Sequence, residues 1–281
     1  MFPIRAAHPL SGSITRFTVE APLVARKWRA GQFVIVRIAE GGERIPLTVV
    51  TADRADGCIT LIVQAVGRTT RELCALRAGD ALADVLGPLG NPTPIGRHGR
   101  VACVGGGVGT AELLPIARAL REAGNEVQAV IGARTRDLII LEDEMRECAA
   151  TLALTTDDGS YGRRGLVVGP LEEALRAPAG LDAVYAIGPL PMMRAVAEAT
   201  RPFAVKTYVS LNAIMLDGTG MCGGCRVTLD GQTRFACVDG PEFDGHAVDF
   251  DELLRRNAAY AEHEREADRR WHEGCASRGA A

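Results

Sequence analysis

The feature that most constrains this sequence is a glycine-rich segment near its C-terminus that holds three cysteines. It begins at Asp217, continues through Cys222 and Cys225, and is followed by Cys237. Counted from the aspartate, the spacing is D-x4-C-x2-C-x11-C. Plant-type [2Fe–2S] proteins space their ligands as C-x4-C-x2-C…C, and a carboxylate is an acceptable hard ligand for ferric iron. The spacing therefore predicts a [2Fe–2S] cluster with Asp217, Cys222, Cys225 and Cys237 as ligands.

A zinc site is the alternative interpretation of the same residues. A CxxC pair with a third cysteine and a carboxylate also suits tetrahedral zinc. Zinc ribbons usually pair two CxxC knuckles, however, and this sequence has one. The spacing favours the iron–sulfur cluster and leaves zinc as the second reading.

Composition narrows the class of protein. A chain of 281 residues is expected to form two or three domains. Its net charge of −3 gives no reason to expect nucleic acid as a partner. The sequence has no apolar run long enough to span a membrane and no signal segment at its start. The eight cysteines suggest no disulfide framework, so we expect a reducing cytoplasm.

Secondary-structure patterns divide the chain into four parts. Residues 1–95 contain short β-rich runs at 31–38, 45–51 and 58–66, which predict a small antiparallel β-barrel. Residues 96–210 alternate apolar runs with helical stretches, which predicts an α/β domain with a parallel sheet. Residues 211–257 hold the cysteine segment, a hairpin around Asp230-Gly231 and a charged helix. Residues 258–281 form a polar tail that we expect to be frayed or bound to a partner.

A second glycine-rich segment suggests a nucleotide site. It follows the first apolar run of the α/β domain and opens a helix, where backbone N–H groups and the helix dipole hold a pyrophosphate. It lacks the usual G-x-G-x-x-G pattern with an acidic residue after the next strand. The candidate residues are Gly105, Gly107, Gly109 and Thr110.

Several motifs resemble those of the ferredoxin–NADP reductase superfamily. Arg44-Ile45-Pro46-Leu47-Thr48 is similar to its flavin motif, and Gly67-Arg68-Thr69-Thr70 to its second flavin loop. Gly188-Pro189, followed by Met192-Met193, resembles its late Gly-Pro turn. The order of barrel, nucleotide domain and cluster segment resembles the electron-transfer subunit of dihydroorotate dehydrogenase. It is more similar still to the small subunits of NADH-dependent reduced ferredoxin:NADP oxidoreductases, also called sulfide dehydrogenase β subunits, in which an aspartate replaces the first cysteine.

This resemblance implies an oxidoreductase subunit with a defined set of cofactors. These are FAD in the barrel, the [2Fe–2S] cluster, and NAD(H) as substrate. The implied partner is a larger flavoprotein and iron–sulfur subunit similar to the glutamate synthase small chain, and the two subunits would form a heterodimer. If the complex bifurcates electrons, ferredoxin and NADP would also take part in the reaction. The alternatives are a dihydroorotate dehydrogenase subunit, against which Asp217 argues, and a non-enzymatic module stabilised by zinc.

The resemblance also implies roles for single residues. Arg44 is expected on the FAD pyrophosphate and Thr48 near flavin N5, with Pro46 and Leu47 beside the ring. No catalytic acid or base is expected, because the cofactors carry the chemistry. We expect NAD(H) rather than NADP(H), although Arg134 and Arg136 could bind a 2′-phosphate. Glu112 departs from the family pattern at the start of the nucleotide-domain helix. The remaining implied FAD and NAD contacts are Gly67, Thr69, Thr70, Gly105, Gly107, Gly109, Thr110, Gly188 and Pro189.

Overall fold

The computed structural model describes the backbone of residues 1–278 and the side chains of residues 1–273. It contains two seven-stranded sheets and one two-stranded hairpin within this range. No described helix is both long and apolar enough to cross a membrane.

The N-terminal sheet is a nearly closed antiparallel barrel in the order β6-β1-β2-β5-β4-β3-β7. Its inward-facing residues alternate with outward ones, as Phe17 and Val19 do on β2, and fill one apolar core. Two short helices, α1 (Pro22–Lys27) and α2 (Arg68–Cys74), connect strands. The strands are β1 (Phe2–Pro9), β2 (Ile14–Glu20), β3 (Phe33–Arg37), β4 (Arg44–Asp53), β5 (Cys58–Gln64), β6 (Ala81–Leu82) and β7 (Asp84–Leu89). The predicted barrel is confirmed.

The second sheet is parallel except at one edge, and helices connect its strands. Its first six strands are β8 (Arg100–Gly106), β9 (Glu126–Ala133), β10 (Thr151–Thr156), β11 (Arg163–Arg164), β12 (Ala183–Ile187) and β13 (Lys206–Ser210). The helices are α3 (Gly109–Glu122), α4 (Glu142–Cys148), α5 (Val168–Arg176) and α6 (Leu190–Thr200), with 3-10 turns at Arg136–Leu138 and Arg201–Phe203. The predicted parallel α/β domain is confirmed.

The C-terminal segment contributes a strand to this second sheet. After the hairpin of β14 (Arg226–Leu229) and β15 (Gln232–Phe235) comes the short helix α7 (Ala236–Asp239). The next strand, β16 (Glu242–Asp244), pairs antiparallel with β13 and forms the sheet edge. The cysteine segment is thus tied at both ends to the nucleotide-domain sheet.

The chain ends in helices where the sequence suggested a frayed tail. Helix α8 (Phe250–Asn257) is followed by a 3-10 turn (Ala258–Tyr260) and by α9 (Ala261–Arg278). Arg71 on α2 donates to Asp268 on α9 at 2.7 Å, and the Arg71 guanidinium lies 6.0 Å from the Trp271 ring. A charged helix of this kind needs docking contacts because it has little apolar surface to bury. Residues 279–281 of the predicted tail lie outside the described residues.

Candidate functional site

A cleft with a cavity volume of about 190 Å³ lies between the barrel and the second sheet. Its walls are largely apolar, with a few hydroxyl and amide groups, which suits a flat aromatic ring with polar edges. From the barrel it is lined by Pro46, Leu47, Thr48, Gln64 and Thr70, and from the other side by Ser210, Leu211, Asn212 and Met215.

The two flavin motifs meet at one end of this cleft. Arg44 opens β4 with an exposed side chain, and its neighbour Glu43 accepts a hydrogen bond from the Thr69 hydroxyl at the start of α2. The Thr70 hydroxyl accepts the Gly67 N–H at 3.0 Å and so fixes the start of the helix. Arg44 is therefore next to the end of α2 that carries the helix's free N–H groups. A guanidinium beside such an end is a suitable place for a pyrophosphate.

The nucleotide turn lies where the strand order of the second sheet reverses. Strands β8 and β12 are neighbours at this point, and the chain runs outward from them in opposite directions. Gly105 lies at the end of β8, Gly107 in the turn that follows, and Gly109 at the start of α3. The turn after β12 holds Gly188 and Pro189. Ligands of open α/β sheets bind at such a reversal, outside the carboxyl ends of the strands.

The two turns pack backbone to backbone, which explains their glycines. A Cβ on Gly109 would lie 2.5 Å from the Ile187 carbonyl oxygen, and one on Gly188 would lie 3.0 Å from the Gly106 Cα. Gly107 has φ +56° and faces open space. Gly107 is therefore the glycine of this set that a ligand could approach, whereas the others allow the turns to meet.

Thr110, which the sequence predicts as a nucleotide contact, points its side chain into the protein interior. Its side chain is fully buried, its hydroxyl has no hydrogen-bond partner among the described residues, and its N–H is bonded to the Gly107 carbonyl. The Gly107 N–H is also used, by the Gly132 carbonyl at 2.8 Å. The Val108 carbonyl accepts the Ala111 N–H, but the Val108 N–H donates to no backbone carbonyl in the described part of the chain, so it is the better candidate for an anion.

Two loops meet at the same sheet edge, one with Arg134 and Arg136 and the other with Asp157 and Asp158. The Arg136 N–H donates to Ser160 Oγ at 2.9 Å, and its guanidinium lies 5.0 Å from the Tyr161 ring. The N–H groups of Asp157 and Asp158 donate to the carbonyls of Ala133 and Arg134. The 157–162 turn lies at the carboxyl edge, as its position after β10 predicts.

The carboxylate of Asp217 organises the cysteine segment. Its Oδ1 accepts the Thr219 N–H at 2.9 Å and its Oδ2 accepts the Cys222 N–H at 2.7 Å. These hydrogen bonds, that of Thr219 first, lower the pKa of Asp217 below its usual value. Gly218 packs against Leu89 and Ile35 of the barrel, with no room for a Cβ. The segment is thus held against the barrel with an ionised carboxylate beside Cys222.

Cys225 and Cys237 form a second pair of candidate iron ligands. Their Sγ atoms are 3.2 Å apart and both residues are buried. Burial, followed by the Cys225 thiol, raises the pKa of Cys237 to about 12, and the Gly220 N–H donates to its sulfur. The described cysteines are free thiols, and the described residues hold no ready-made group of three or more ligands for a single metal ion. Two pairs of donors fit two irons better than one zinc ion.

Sequence reasoning gave no role to two carboxyl groups near the cleft. Glu112, on the first turn of α3, lines the cleft and accepts a hydrogen bond from Thr48. Glu242, on β16, is hydrogen-bonded by Thr93 Oγ1 at 2.7 Å. The departure of Glu112 from the family pattern was a signal for the first. The sequence held no such signal for Glu242, because the position of this residue depends on the pairing of β16 with β13.

Comparisons with known proteins agree with this geometry. Residues 212–249 match the model of the iron–sulfur cluster binding domain of dihydroorotate dehydrogenase B. A solved chain from the NADH-dependent reduced ferredoxin–NADP oxidoreductase, studied for flavin-based electron bifurcation, superposes with a TM-score of 0.91 at 46% identity, covering 96% of this chain and 98% of that one. The class is therefore that of electron-transfer subunits with a ferredoxin-reductase fold and an iron–sulfur domain.

Two named relatives define the family. The Thermotoga maritima "dihydroorotate dehydrogenase B (NAD(+)), electron transfer subunit homolog" is 51% identical over 89% of this chain and 88% of its own length. The electron transfer subunit of Geobacillus thermodenitrificans dihydroorotate dehydrogenase B is 35% identical over 80% of this chain and 89% of its own. This chain belongs to the family of dihydroorotate dehydrogenase B electron transfer subunits and their homologues.

The family membership confirms the predicted class of oxidoreductase subunit and the iron–sulfur interpretation of the cysteine spacing. FAD and a [2Fe–2S] cluster agree with the fold, the cleft and the matched domain. The roles of the single residues, Arg44 to Cys237, stay predictions.

Proposed function

We propose that this chain holds FAD in the cleft and a [2Fe–2S] cluster between Asp217 and Cys237, and passes electrons between NAD(H) and a larger flavoprotein. The observation that carries the proposal is the continuity of the two sites. Met215 lines the cleft, and Asp217 follows two residues later, a reach of about 7 Å along extended chain. The cluster loop is therefore directly beside the flavin cleft.

The residues have separate tasks in this scheme. Bound FAD supplies the conversion of a hydride into single electrons. Arg44 and the start of α2 hold its pyrophosphate, while Pro46, Leu47 and Thr48 position the ring. The turns at 105–110 and 188–189 hold the nicotinamide nucleotide over the other side of the cleft. Asp217 with Cys222, and Cys225 with Cys237, each hold one iron.

We propose NAD(H) as the nucleotide. The loop that holds Asp157 and Asp158 is hydrogen-bonded through its backbone to Ala133 and Arg134, and the Arg136 guanidinium lies over the Tyr161 ring. Carboxylates on this loop disfavour a 2′-phosphate by charge repulsion.

Spectroscopy and stopped-flow reduction test the proposal. Purified protein should show flavin and iron–sulfur absorption, and NADH should reduce the flavin faster and at lower concentration than NADPH. Colourless protein would exclude both cofactors and favour a zinc-stabilised module. Flavin reduced preferentially by NADPH would overturn the nucleotide assignment alone.

The partner is proposed as a larger flavoprotein and iron–sulfur subunit of the kind found beside this family, with ferredoxin as a further acceptor. The runner-up is a dihydroorotate dehydrogenase catalytic subunit. Affinity purification from the native cell, followed by identification of the stoichiometric partner, separates the two. We infer a reducing cytoplasm as the location, because the free thiols must remain reduced until the cluster is assembled.

A further inference from the structure

The flavin cleft contains one carboxylate with no cationic partner. Among the described residues that line the cleft, Glu112 is the only one with a charged side chain. The Thr48 hydroxyl, on the barrel side, hydrogen-bonds to its carboxyl group. Because Thr48 is also expected at the flavin ring, this contact joins Glu112 to the place where the cofactor reacts.

A second carboxyl group lies on β16, next to the cleft wall. Glu242 pairs in register with Ser210, which lines the cleft. Its Oε1 accepts from Thr93, but its Oε2 is buried and has no partner among the described residues. An unpaired buried oxygen is costly when the carboxyl group is ionised and much less so when it carries a proton.

The charges around the two carboxyl groups leave this cost uncompensated. Burial raises the pKa of Glu112 to about 7, against the hydrogen bond from Thr48. Burial first, and then the negative charge of Glu112, raises the pKa of Glu242 to about 7. No lysine, arginine or histidine among the described residues offsets either group. Tyr185 is the other titratable group facing Glu242, and burial raises the pKa of its phenol, so it stays neutral.

We propose that Glu112 and Glu242 form a proton-exchanging pair that takes up one proton when the flavin becomes negatively charged and releases it when the electrons leave. The proposal rests on the proposed function, since it needs FAD in the cleft. Two carboxyl groups that interact in this way titrate as a unit and share a proton near neutral pH.

The pair keeps the charge balanced through the reaction. Bound FAD would supply the redox chemistry, and its acceptance of a hydride from NADH would add one negative charge to the cleft as NAD⁺ leaves. The pair then takes one proton from water. When the two electrons leave for the cluster, the pair would release its proton to water together with the proton that the hydride brought. One turnover would thus take up one proton and release two, a net release of the single proton that NADH oxidation yields.

Redox titration of the holoprotein tests this inference. Each proton coupled to two electrons changes the midpoint potential by about 30 mV per pH unit. Between about pH 6 and about pH 8, Glu112→Gln should therefore lower the pH slope of the flavin potential by about 30 mV per unit. Glu242→Gln should also reduce it. Glu122→Gln, on an exposed position of the same helix, is the matched control and should leave the slope unchanged.

Two measurements on the wild-type protein do not depend on the variants folding. Reduction in weakly buffered solution with an indicator dye should show one proton taken up beyond those required by the flavin. The infrared difference spectrum should gain a protonated carboxyl band on reduction. A normal flavin spectrum with an unchanged slope in Glu112→Gln, or a wild type with no additional proton and no carboxyl band, overturns the pair but not the proposed function. Absence of bound FAD overturns both.

Discussion

The Asp217 carboxylate accepts the backbone N–H of Cys222 at 2.7 Å, while its other oxygen accepts the N–H of Thr219. The residue therefore shapes the loop in addition to its proposed role as an iron ligand. Substitutions must separate these two tasks, because a collapsed loop would also lose the cluster.

We expect Asp217→Ala to make the cluster labile and Asp217→Cys to keep it at a lower potential. A thiolate carries the same charge as a carboxylate but donates more electron density to iron. Asp217→Asn is the control for loop shape, since its amide oxygen can still accept the Thr219 N–H. Iron content, EPR and redox titration measure the outcome. A fully loaded cluster with an unaltered spectrum in Asp217→Ala would show that another group binds the iron.

Arg44→Ala should release FAD and leave the cluster in place. Loss of a charge-assisted contact costs about 1.5 to 3 kcal/mol, or roughly one to two decades of affinity. Arg54→Ala, at an exposed turn just after the same strand, should retain flavin fully. Flavin and iron are quantified in the same preparations. Equal flavin content in both variants would refute the assignment of Arg44.

Gly109→Ala should destabilise the protein and impair reduction by nucleotide. Its new Cβ would lie 2.5 Å from the Ile187 carbonyl oxygen, so the two turns must separate. We expect a loss of about 1 to 3 kcal/mol in the free energy of unfolding. Gly169→Ala is the control, because that glycine has no atom within 4 Å of a built Cβ. Thermal unfolding of both variants checks the difference, and equal losses would contradict it.

The free energy of unfolding should decrease as the pH rises from about 4.5 to about 7. The folded-state pKa of Glu242 is raised to about 7 from an ordinary 4.5, so in this window the folded state binds more protons than the unfolded state. Glu242→Gln removes the cost of ionisation and should be more stable than wild type at pH 8, by at most about 3 kcal/mol. At about pH 4 the advantage should vanish. Unfolding by denaturant at both pH values measures it, and an identical difference at both would contradict the burial of an ionising carboxyl.

Strands β3, β4 and β5 of the barrel and most strands of the parallel sheet were predictable because their signals are local. Continuous apolar runs mark β3 and β12, and Asp230-Gly231 marks the hairpin. Strand β16 was not predictable: Glu242–Asp244 has three residues and carries two carboxylates. It is a strand because the unpaired edge of β13 provides hydrogen bonds to it.

In the candidate site, too, features with a local sequence signal were predictable and features set by tertiary contacts were not. Glycine and cysteine spacings reveal ligands that are close in sequence, such as Asp217 and Cys222. The contact between Thr48 and Glu112 joins two domains, and nothing in the spacing of either motif indicates it. Helix α9 was also missed, because its docking depends on Arg71, far away in the sequence.

The pairing of β16 with β13 has a consequence for anyone who cuts or fuses this protein. A chain ended after Ser210 would leave a bare strand edge, a template for pairing with another molecule. A graft of residues 212–239 onto a different reductase would lack the strand that fastens its far end. The iron–sulfur segment can therefore be transplanted as a working unit when Glu242–Asp244 and a receptive edge strand travel with it.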